Sequence, residues 1–536
     1  MINNVIRKFR WNNIFAVLIV LIALTFRFYN IHNWIFFGMD QEYEALLVKN
    51  ILTGRHFPLI GVNASDTGLY LGPAFIYSAS IPFLLFSGDP FGWALCASIL
   101  SLVVCFLVFH IGKKMFNREV GIFSMIIYAS SLLVSFYDRQ FWNPTPIPFF
   151  SLTSGYLLFK VMKGKVKNLI WLSVTYGLAV QCHLSILIFL PLIIYIIFSQ
   201  RKHLSRKIVI ISLSIFLLLQ SPIILFEFRH SFTNTKALYR ILIQKDNKDI
   251  KHSSITNRFN IGLSSLGRFL YIPLSSDFFL ESGQCEELVK YRNNGNPLSK
   301  LIMLTSLGIL IWSVTNFNRL SRKLSLDCHT YLSLILIVWL FTLTGLFIIF
   351  YDRGVFEYYF LYLFPWLALT LGWSLFVVWS KPYGKYIVIP FTCFFIINNL
   401  LSLFTSSFSF SYKDKKNVLS YVKNELKGDN YDLEAIGDCA RFGGYRYLFE
   451  RFVGVPAHSY MDSYFSWLYY DNSIQLPSRI VLLSPIDYRN NKEIVSFWET
   501  KKLEYLSQSN MIAKQKFGDI QVFILSRSIT DEENNK

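Results

Sequence analysis

Apolar residues in this chain fall in long unbroken blocks, not at alternating positions. The blocks lie near 12–28, 71–86, 91–111, 120–137, 147–162, 169–181, 184–199, 207–226, 298–315, 329–350, 358–379 and 384–406. A run of about 20 apolar residues is long enough to cross a bilayer as a helix. Only helices and closed barrels satisfy the backbone there, and continuous runs predict helices. The polar connections are of two kinds. Short basic ones carry Lys113, Lys114 and Arg118; Lys160, Lys163, Lys165 and Lys167; Arg201, Lys202, Arg206 and Lys207; Arg319, Arg322 and Lys323; and Lys381 with Lys385. The positive-inside rule places them all in the cytoplasm, together with Arg7, Lys8 and Arg10. Block 71–86 then cannot be a simple span, because the later basic loops would change sides. It is short and holds Pro73 and Pro82, so it is read as a helix lying on the outer surface. About eleven transmembrane helices remain, with the N-terminus cytoplasmic and the C-terminus extracytoplasmic. No small-residue cleavage site follows the first block, which is read as an uncleaved span.

The outward segments are acidic or aromatic. In the first, running from about 29 to 90, residues 42–53 have helical spacing and Gly54 suits a helix stop, giving a second surface helix. Residues 407–536 are polar enough for a separate domain. Helical stretches at 416–426 and 491–507 alternate there with strand-like runs at 479–484 and 520–526. The reading is an all-α polytopic membrane domain over 1–406, followed by a small extracytoplasmic α/β domain over 407–536.

Composition sharpens this picture. Of 536 residues, 53% are hydrophobic and only 16% charged, against roughly 25% charged in soluble domains. The net charge of +18 follows from the cytoplasmic loops and is not read as a nucleic-acid surface. The seven cysteines form no CxxC or close cluster, so neither a disulfide framework nor a zinc site is expected; Cys285 and Cys439, both in outward segments, could be bridged. No GxxxxGK[ST], GxGxxG or HExxH is present, so ATP, nucleotide-sugar and zinc-protease chemistry find no support. No cofactor is expected.

The candidate chemistry gathers on the outward side. Asp40 lies just beyond the first span. It can act as a general base toward an acceptor hydroxyl, or simply cap helix 42–53; Glu42 stands beside it. The loop after the third span places Asp138, Arg139 and Asn143 beside Trp142. Arg139 suits a phosphate, while the plainer reading is an Asp–Arg pair in an aromatic belt. His183 sits at a turn between two short spans, as a ligand or as a hydrogen-bonded structural residue. Arg229 and His230 follow the seventh span, and Arg353 and Tyr358 lie in another outer turn. Each cation can hold a lipid phosphate at headgroup depth or anchor a helix end. Together these residues fit a polyprenyl-phosphate sugar, whose reacting bond lies at the membrane surface. That chemistry needs a base, Asp40 or Asp138, and fixed cations for the departing phosphate.

Four stretches carry a family resemblance: MDQEYEALLVKNILTGRHFPLIG (39–61), FYDRQFWNPTPIPFFSL (136–152), YGLAVQCHLSILIFLP (176–191) and SPIILFEFRHSFTNTKAL (221–238). At these residues the chain resembles the GT-C membrane glycosyltransferases, in particular glycosyltransferase family 39 with its protein O-mannosyltransferase and aminoarabinose-transferase relatives. The resemblance implies a GT-C fold with two surface helices in the first outer loop. It also implies inverting transfer from a polyprenyl-phosphate donor, with Asp40 as the catalytic carboxylate and Asp138 where some relatives carry a second acidic residue. The family often has Asp-Glu where this chain has Asp40-Gln41, with Glu42 as the substitute. Some distant relatives hold a metal on Asp-x-Asp pairs. These outer loops contain none, so no metal is expected. The partners expected are a polyprenyl-phosphate sugar, the membrane and an acceptor that is a protein, lipid or glycan. Two other readings stay open: a transporter or flippase of lipid-linked sugars, and a non-catalytic glycolipid-binding homologue. Charges at the ends of spans and the lack of an internal repeat weigh against a transporter.

Overall fold

The computed structural model describes residues 17–64, 67–243, 253–283, 286–291, 297–324, 328–351, 354–408, 411–437, 442–469, 476–486, 492–518 and 520–527. Arg353, Cys285 and Cys439 lie outside the described residues. The described cysteines, Cys96, Cys105, Cys182, Cys328 and Cys393, are unbridged.

The helices, in chain order, begin with α1 (Val17–Phe28), α2 (Ile31–Trp34), α3 (Met39–Leu52) and α4 (Ala74–Leu85). A bundle follows: α5 (Pro90–Met115), α6 (Arg118–Ser130), α7 (Leu132–Asp138), α8 (Ile147–Met162), α9 (Asn168–Cys182), α10 (Leu190–Ser199), α11 (Arg206–Leu219) and α12 (Ser221–Arg229). Next come α13 (Thr233–Ile243), α14 (Ile255–Leu270), α15 (Pro297–Thr315), α16 (Phe317–Leu324), α17 (Cys328–Phe350), α18 (Phe364–Trp379) and α19 (Lys385–Thr405). Every apolar block expected to span holds one of these helices or a bent pair. Among the described residues α5, α17 and α19 are single helices long and apolar enough to cross a membrane. The pairs α6–α7, α11–α12 and α15–α16 are bent by 67°, 55° and 91°. Helix α4, at 12 residues, rises only about 18 Å.

The bend between α6 and α7 frees a backbone N–H that apolar surroundings would penalise. Asn399 of α19 resolves this: its Oδ1 accepts from Leu132 N at 3.1 Å. Such local satisfaction is what makes a broken helix tolerable at membrane depth. The centre of the bundle is closely packed. Gly155 of α8 faces Trp366 of α18 so tightly that a Cβ there would lie 2.1 Å from the indole. The periphery is the reverse. Helix α11 buries only Ser212 and exposes Ile210, Leu213, Leu217 and Leu218, an apolar surface of the kind a bilayer covers.

The C-terminal region adds α20 (Tyr412–Leu426), α21 (Tyr445–Phe452), α22 (Asp462–Phe465) and α23 (Lys492–Ser507). Its strands are β4 (Tyr431–Ala435), β5 (Arg479–Pro485), β6 (Ser509–Phe517) and β7 (Ile520–Arg527), after β1 (Asp277–Gly283), β2 (Glu286–Tyr291) and β3 (Ser407–Phe408). The main sheet has the order β4-β5-β7-β6, with β4 and β5 parallel and the other pairs antiparallel. Both of its faces are covered. Ile480 and Leu482 point to Trp498, Tyr505 and Leu506 of α23, while Val481 and Leu483 join the main core. This is the period-2 alternation of a strand, buried on both sides. The β1–β2 hairpin pairs in parallel with β3, which stitches the 227–297 segment to the start of this region.

Candidate functional site

Helix α3 starts at Met39, earlier than expected, with Gly38 as its N-cap. Asp40 is therefore not the cap. It is an exposed carboxylate in the first turn, where the helix dipole favours negative charge. The capping is done by Gln41, whose Oε1 accepts from Gly38 N at 2.9 Å. Gln41 is itself buried, which gives a structural reason for an amide at this place. Gly54, at φ +69°, ends the helix region as expected.

At 100° per residue, α3 presents two working faces. Asp40 and Glu44, four residues apart, share one. Glu42 and Lys49, seven apart, share the opposite one. The Glu42 face docks the C-terminal region. Its carboxylate accepts from Gly444 N at 2.8 Å and Tyr447 N at 2.6 Å, the free amides at the start of α21. Lys49 pairs with Glu450, and Lys415 donates to the carbonyls of Phe37 and Gly443 at 2.6 and 2.5 Å. Gly444 fits because it sits at φ +87°, with the Phe37 carbonyl only 2.4 Å from where a Cβ would lie. Burial pushes the Glu42 carboxyl up to about 7. The structure therefore corrects the expectation that Glu42 binds substrate beside Asp40: it faces away and holds two parts of the fold together. Residues on either side of 406 share one hydrophobic core.

The other face of α3 lines the candidate site. Glu44 is fully buried and its Oε1 accepts from Asn143 N at 3.1 Å. Burial first, and then the charge of Asp40, push the Glu44 carboxyl well above the usual carboxylate range. Asn143 donates from Nδ2 to the Cys182 carbonyl at 3.0 Å, fixing the turn that carries His183. The His183 ring meets those of Tyr358 and Tyr359 at 5.8 and 5.7 Å, and its Nδ1 is 2.8 Å from Ser185 Oγ. Trp142 packs on Tyr358 at 4.8 Å. The charge of Asp40 also reaches the Tyr358 hydroxyl. Four segments distant in sequence, at Asp40, Asn143, His183 and Tyr358, thus form one wall. Tyr358 is held there by Glu357, which accepts from Arg268 Nε at 2.6 Å and from the Tyr137 hydroxyl at 3.0 Å. Over the adjoining edge, Tyr43 contacts Phe465 and the half-exposed Trp467 of the C-terminal region at 5.3 and 6.3 Å.

Asp138 and Arg139 are used differently from the expectation. Asp138 is buried and pairs with Arg27 of α1 at 2.8 Å, and Ser101 also donates to it. Arg27 continues to Ser101 Oγ at 2.9 Å and to the Tyr128 and Ala129 carbonyls. This ion pair fastens α1, α5, α6 and α7 together, a role distinct from that of a second base. Arg139, fully buried, donates to the Phe26 carbonyl and lies over the Trp34 ring, so it is turned into the protein and not toward a lipid phosphate. Arg229 and His230 are exposed at the end of α12. The His230 ring stacks on Phe226 at 4.2 Å, and Phe226 meets Tyr70 at 5.9 Å. Glu44 was missed as a site residue, although its i, i+4 spacing from Asp40 within a helical run was visible.

Residues 71–226 match the family model described as dolichyl-phosphate-mannose-protein mannosyltransferase. No curated protein matches the sequence. Among solved structures, the chain is similar to ArnT from Cupriavidus metallidurans bound to undecaprenyl phosphate. Identity is 9% and TM-score 0.58, over 96% of this chain and 98% of that one. It is also similar to the archaeal oligosaccharyltransferase AglB from Archaeoglobus fulgidus in complex with an inhibitory peptide and a dolichol-phosphate, at 12% identity and TM-score 0.50, over 98% and 75%. The chain thus shares its fold with these membrane transferases, and residues 71–226 carry the likeness to the mannosyltransferase family.

Proposed function

We propose that the protein transfers a hexose or pentose from a polyprenyl-phosphate donor to an acceptor hydroxyl at the extracytoplasmic face of the membrane. The observation that carries this reading is the exposed Asp40 carboxylate. It stands at the head of a helix whose same face, with Asn143, His183 and Tyr358, builds a mixed polar and aromatic wall. The similar structures, one bound to undecaprenyl phosphate and one in complex with a dolichol-phosphate, support a lipid-phosphate donor.

In this mechanism Asp40 accepts the acceptor's hydroxyl proton as that oxygen attacks the anomeric carbon. The bond from that carbon to the phosphate oxygen breaks, and the electron pair leaves with the polyprenyl phosphate. Configuration inverts because attack and departure are on opposite sides. The leaving group is a stable anion, so fixed cations serve it better than an acid would. Arg229 and His230, exposed at the end of α12, are assigned to that role, and Arg353 is a further one by sequence. The basic loops support the orientation, with the N-terminus in the cytoplasm and the C-terminal region outside.

The test is sugar transfer by protein reconstituted in liposomes, with a panel of undecaprenyl-phosphate sugars as donors. Replacing Asp40→Asn should lower transfer by about 10²–10⁴-fold, the usual worth of a general base, while donor binding persists. Unchanged transfer removes Asp40 from the chemistry. Translocation of a donor without any transfer replaces the reading with a transporter.

A further inference from the structure

Helices α11 and α12, 14 and 9 residues long and bent by 55°, advance the chain about 29 Å along the axis of α11, close to the depth of a hydrocarbon core. Apolar exposure persists to the end of α12. Leu225 and Phe228 are exposed there, and Phe228 meets the exposed Phe232 at 5.6 Å. Helix α13 begins at Thr233, so it starts at the edge of the bilayer. Glu227 fixes that start, its carboxylate accepting from Asn234 N and Thr235 N, both at 2.8 Å. Asn234 ties the helix to the chain before α4, accepting from Tyr70 N at 2.9 Å and donating to the Tyr70 carbonyl at 3.0 Å. Asn234 and Ala237 are buried on that side. At about 100° per residue, Lys236 and Arg240 flank the buried stripe on one side and Leu238 on the other, with Tyr239 outermost. All four are exposed, and neither cation is in an ion pair among the described residues.

The sequence adds a second observation. Residues 229–251 carry six Lys and Arg against two Asp. In the proposed orientation this segment is outward, where the positive-inside rule gives no reason for basic residues. We infer that α13 is an interfacial helix whose Lys236 and Arg240 bind the headgroup phosphates of anionic phospholipids, with Leu238 and Tyr239 set into the acyl boundary. Cations beside exposed apolar and aromatic side chains at a bilayer edge are the pattern of a helix lying in the interface, where an anionic surface attracts each Lys and Arg. A soluble acidic protein would match the cations but leave the lipid-facing Leu225 and Phe228 beside it without cover. A zwitterionic surface would cover the apolar side chains and give the cations no net counter-charge. Lys236 and Arg240 are separate from Arg229 and His230, which are assigned to the donor. The inference rests on α11 and α12 forming a span, and not on the transfer chemistry.

The experiment measures hydrogen exchange of peptides covering α13 in full-length protein held in nanodiscs, either of phosphatidylcholine alone or of phosphatidylcholine mixed with phosphatidylglycerol. In wild type the anionic lipid should slow exchange of α13 by roughly ten-fold or more, at about five-fold for each cation. Raising the salt should shrink that gain. Lys236→Gln with Arg240→Gln should abolish it and leave exchange in phosphatidylcholine alone unchanged. Lys236→Arg with Arg240→Lys, which keeps both charges, should retain it. Equal exchange of wild type in the two nanodiscs overturns the inference. So does a gain that persists in the Gln variant. The same slowing produced by inorganic phosphate in phosphatidylcholine nanodiscs also overturns it, because that marks a site for free anions. No sugar donor enters the assay, so its failure is distinct from failure of the transferase reading.

Discussion

Replacing Asp138→Asn separates a structural ion pair from a catalytic carboxylate. Arg27 is fully buried and Asp138 is 7% exposed, so neither charge has bulk water to fall back on. At their 2.8 Å separation, the attraction is about 6 kcal/mol at an effective dielectric of about 20. Much of that offsets desolvation, but removing only one partner leaves the other charge buried and uncompensated, which costs about 3–5 kcal/mol. The amide introduced in place of the carboxylate would still accept from Arg27, placing the loss at the lower end. Replacing the whole pair, Arg27→Met with Asp138→Leu, removes both charges and should recover most of the stability. The assay is thermal unfolding in detergent followed by tryptophan fluorescence, with sugar transfer measured per folded molecule in the same preparations. The single variant should unfold at lower temperature, and the double variant close to wild type with transfer retained. A single variant as stable as wild type but without transfer would show that Asp138 takes part in the chemistry and refute the structural reading.

Two other variants test how the fold holds the site. The Glu42 carboxyl titrates near 7 when docked, against 4.5 ordinarily, so the docked state binds the extra proton between those values. Docking of the C-terminal region should therefore be strongest at the acid end and weaken as pH rises through that window, by up to about 3 kcal/mol. Hydrogen exchange of α21 across pH 4.5–8 should show protection falling with pH in wild type and a flatter profile in Glu42→Gln; protection that rises with pH refutes the assignment. In Asn399→Leu the Leu132 N–H at the α6–α7 bend loses its partner, at a cost of about 1–3 kcal/mol. A lowered unfolding midpoint checks this, and an unchanged one shows that the break is satisfied another way.

Much of the bundle was legible in the sequence because bilayer solvation writes itself into the chain. Apolar blocks, basic loops and the prolines before and within α4 each carry a direct signal, and every expected span holds a helix or bent pair. In the C-terminal region β5 and β7 were readable as apolar runs, whereas β4 and β6, with more polar residues, were not. The roles of single charged residues were the least legible. Asp138 and Arg139 in a short loop after a span look like exposed ligands. The 67° bend at Ser131 instead folds α7 back into the bundle, where the Asp138 carboxylate meets Arg27, more than a hundred positions earlier. No local pattern predicts a partner at that distance. His183, Asn143 and Tyr358 were singled out for unrelated reasons, and only tertiary structure brings them into one wall with Asp40.

The two faces of α3 link chemistry to the C-terminal region. Asp40 is two residues from Glu42 and four from Glu44, so any shift of the helix moves the proposed base, the docking carboxylate and the buried Glu44 together. A helix of 14 residues held only by apolar contacts could slide or rotate by small amounts. Here Glu42 is fixed by two amides of α21 and Glu44 by the amide of Asn143, from opposite sides. Those bonds restrain rotation about the axis and keep Asp40 where its charge reaches Tyr358 and Glu44. A displacement of about 1 Å in a catalytic group can cost a hundred-fold in rate, so in the proposed mechanism the placement of Asp40 depends on the Glu42 and Glu44 contacts. The C-terminal region thus acts as a clamp on α3, whatever else Trp467 contributes at its edge.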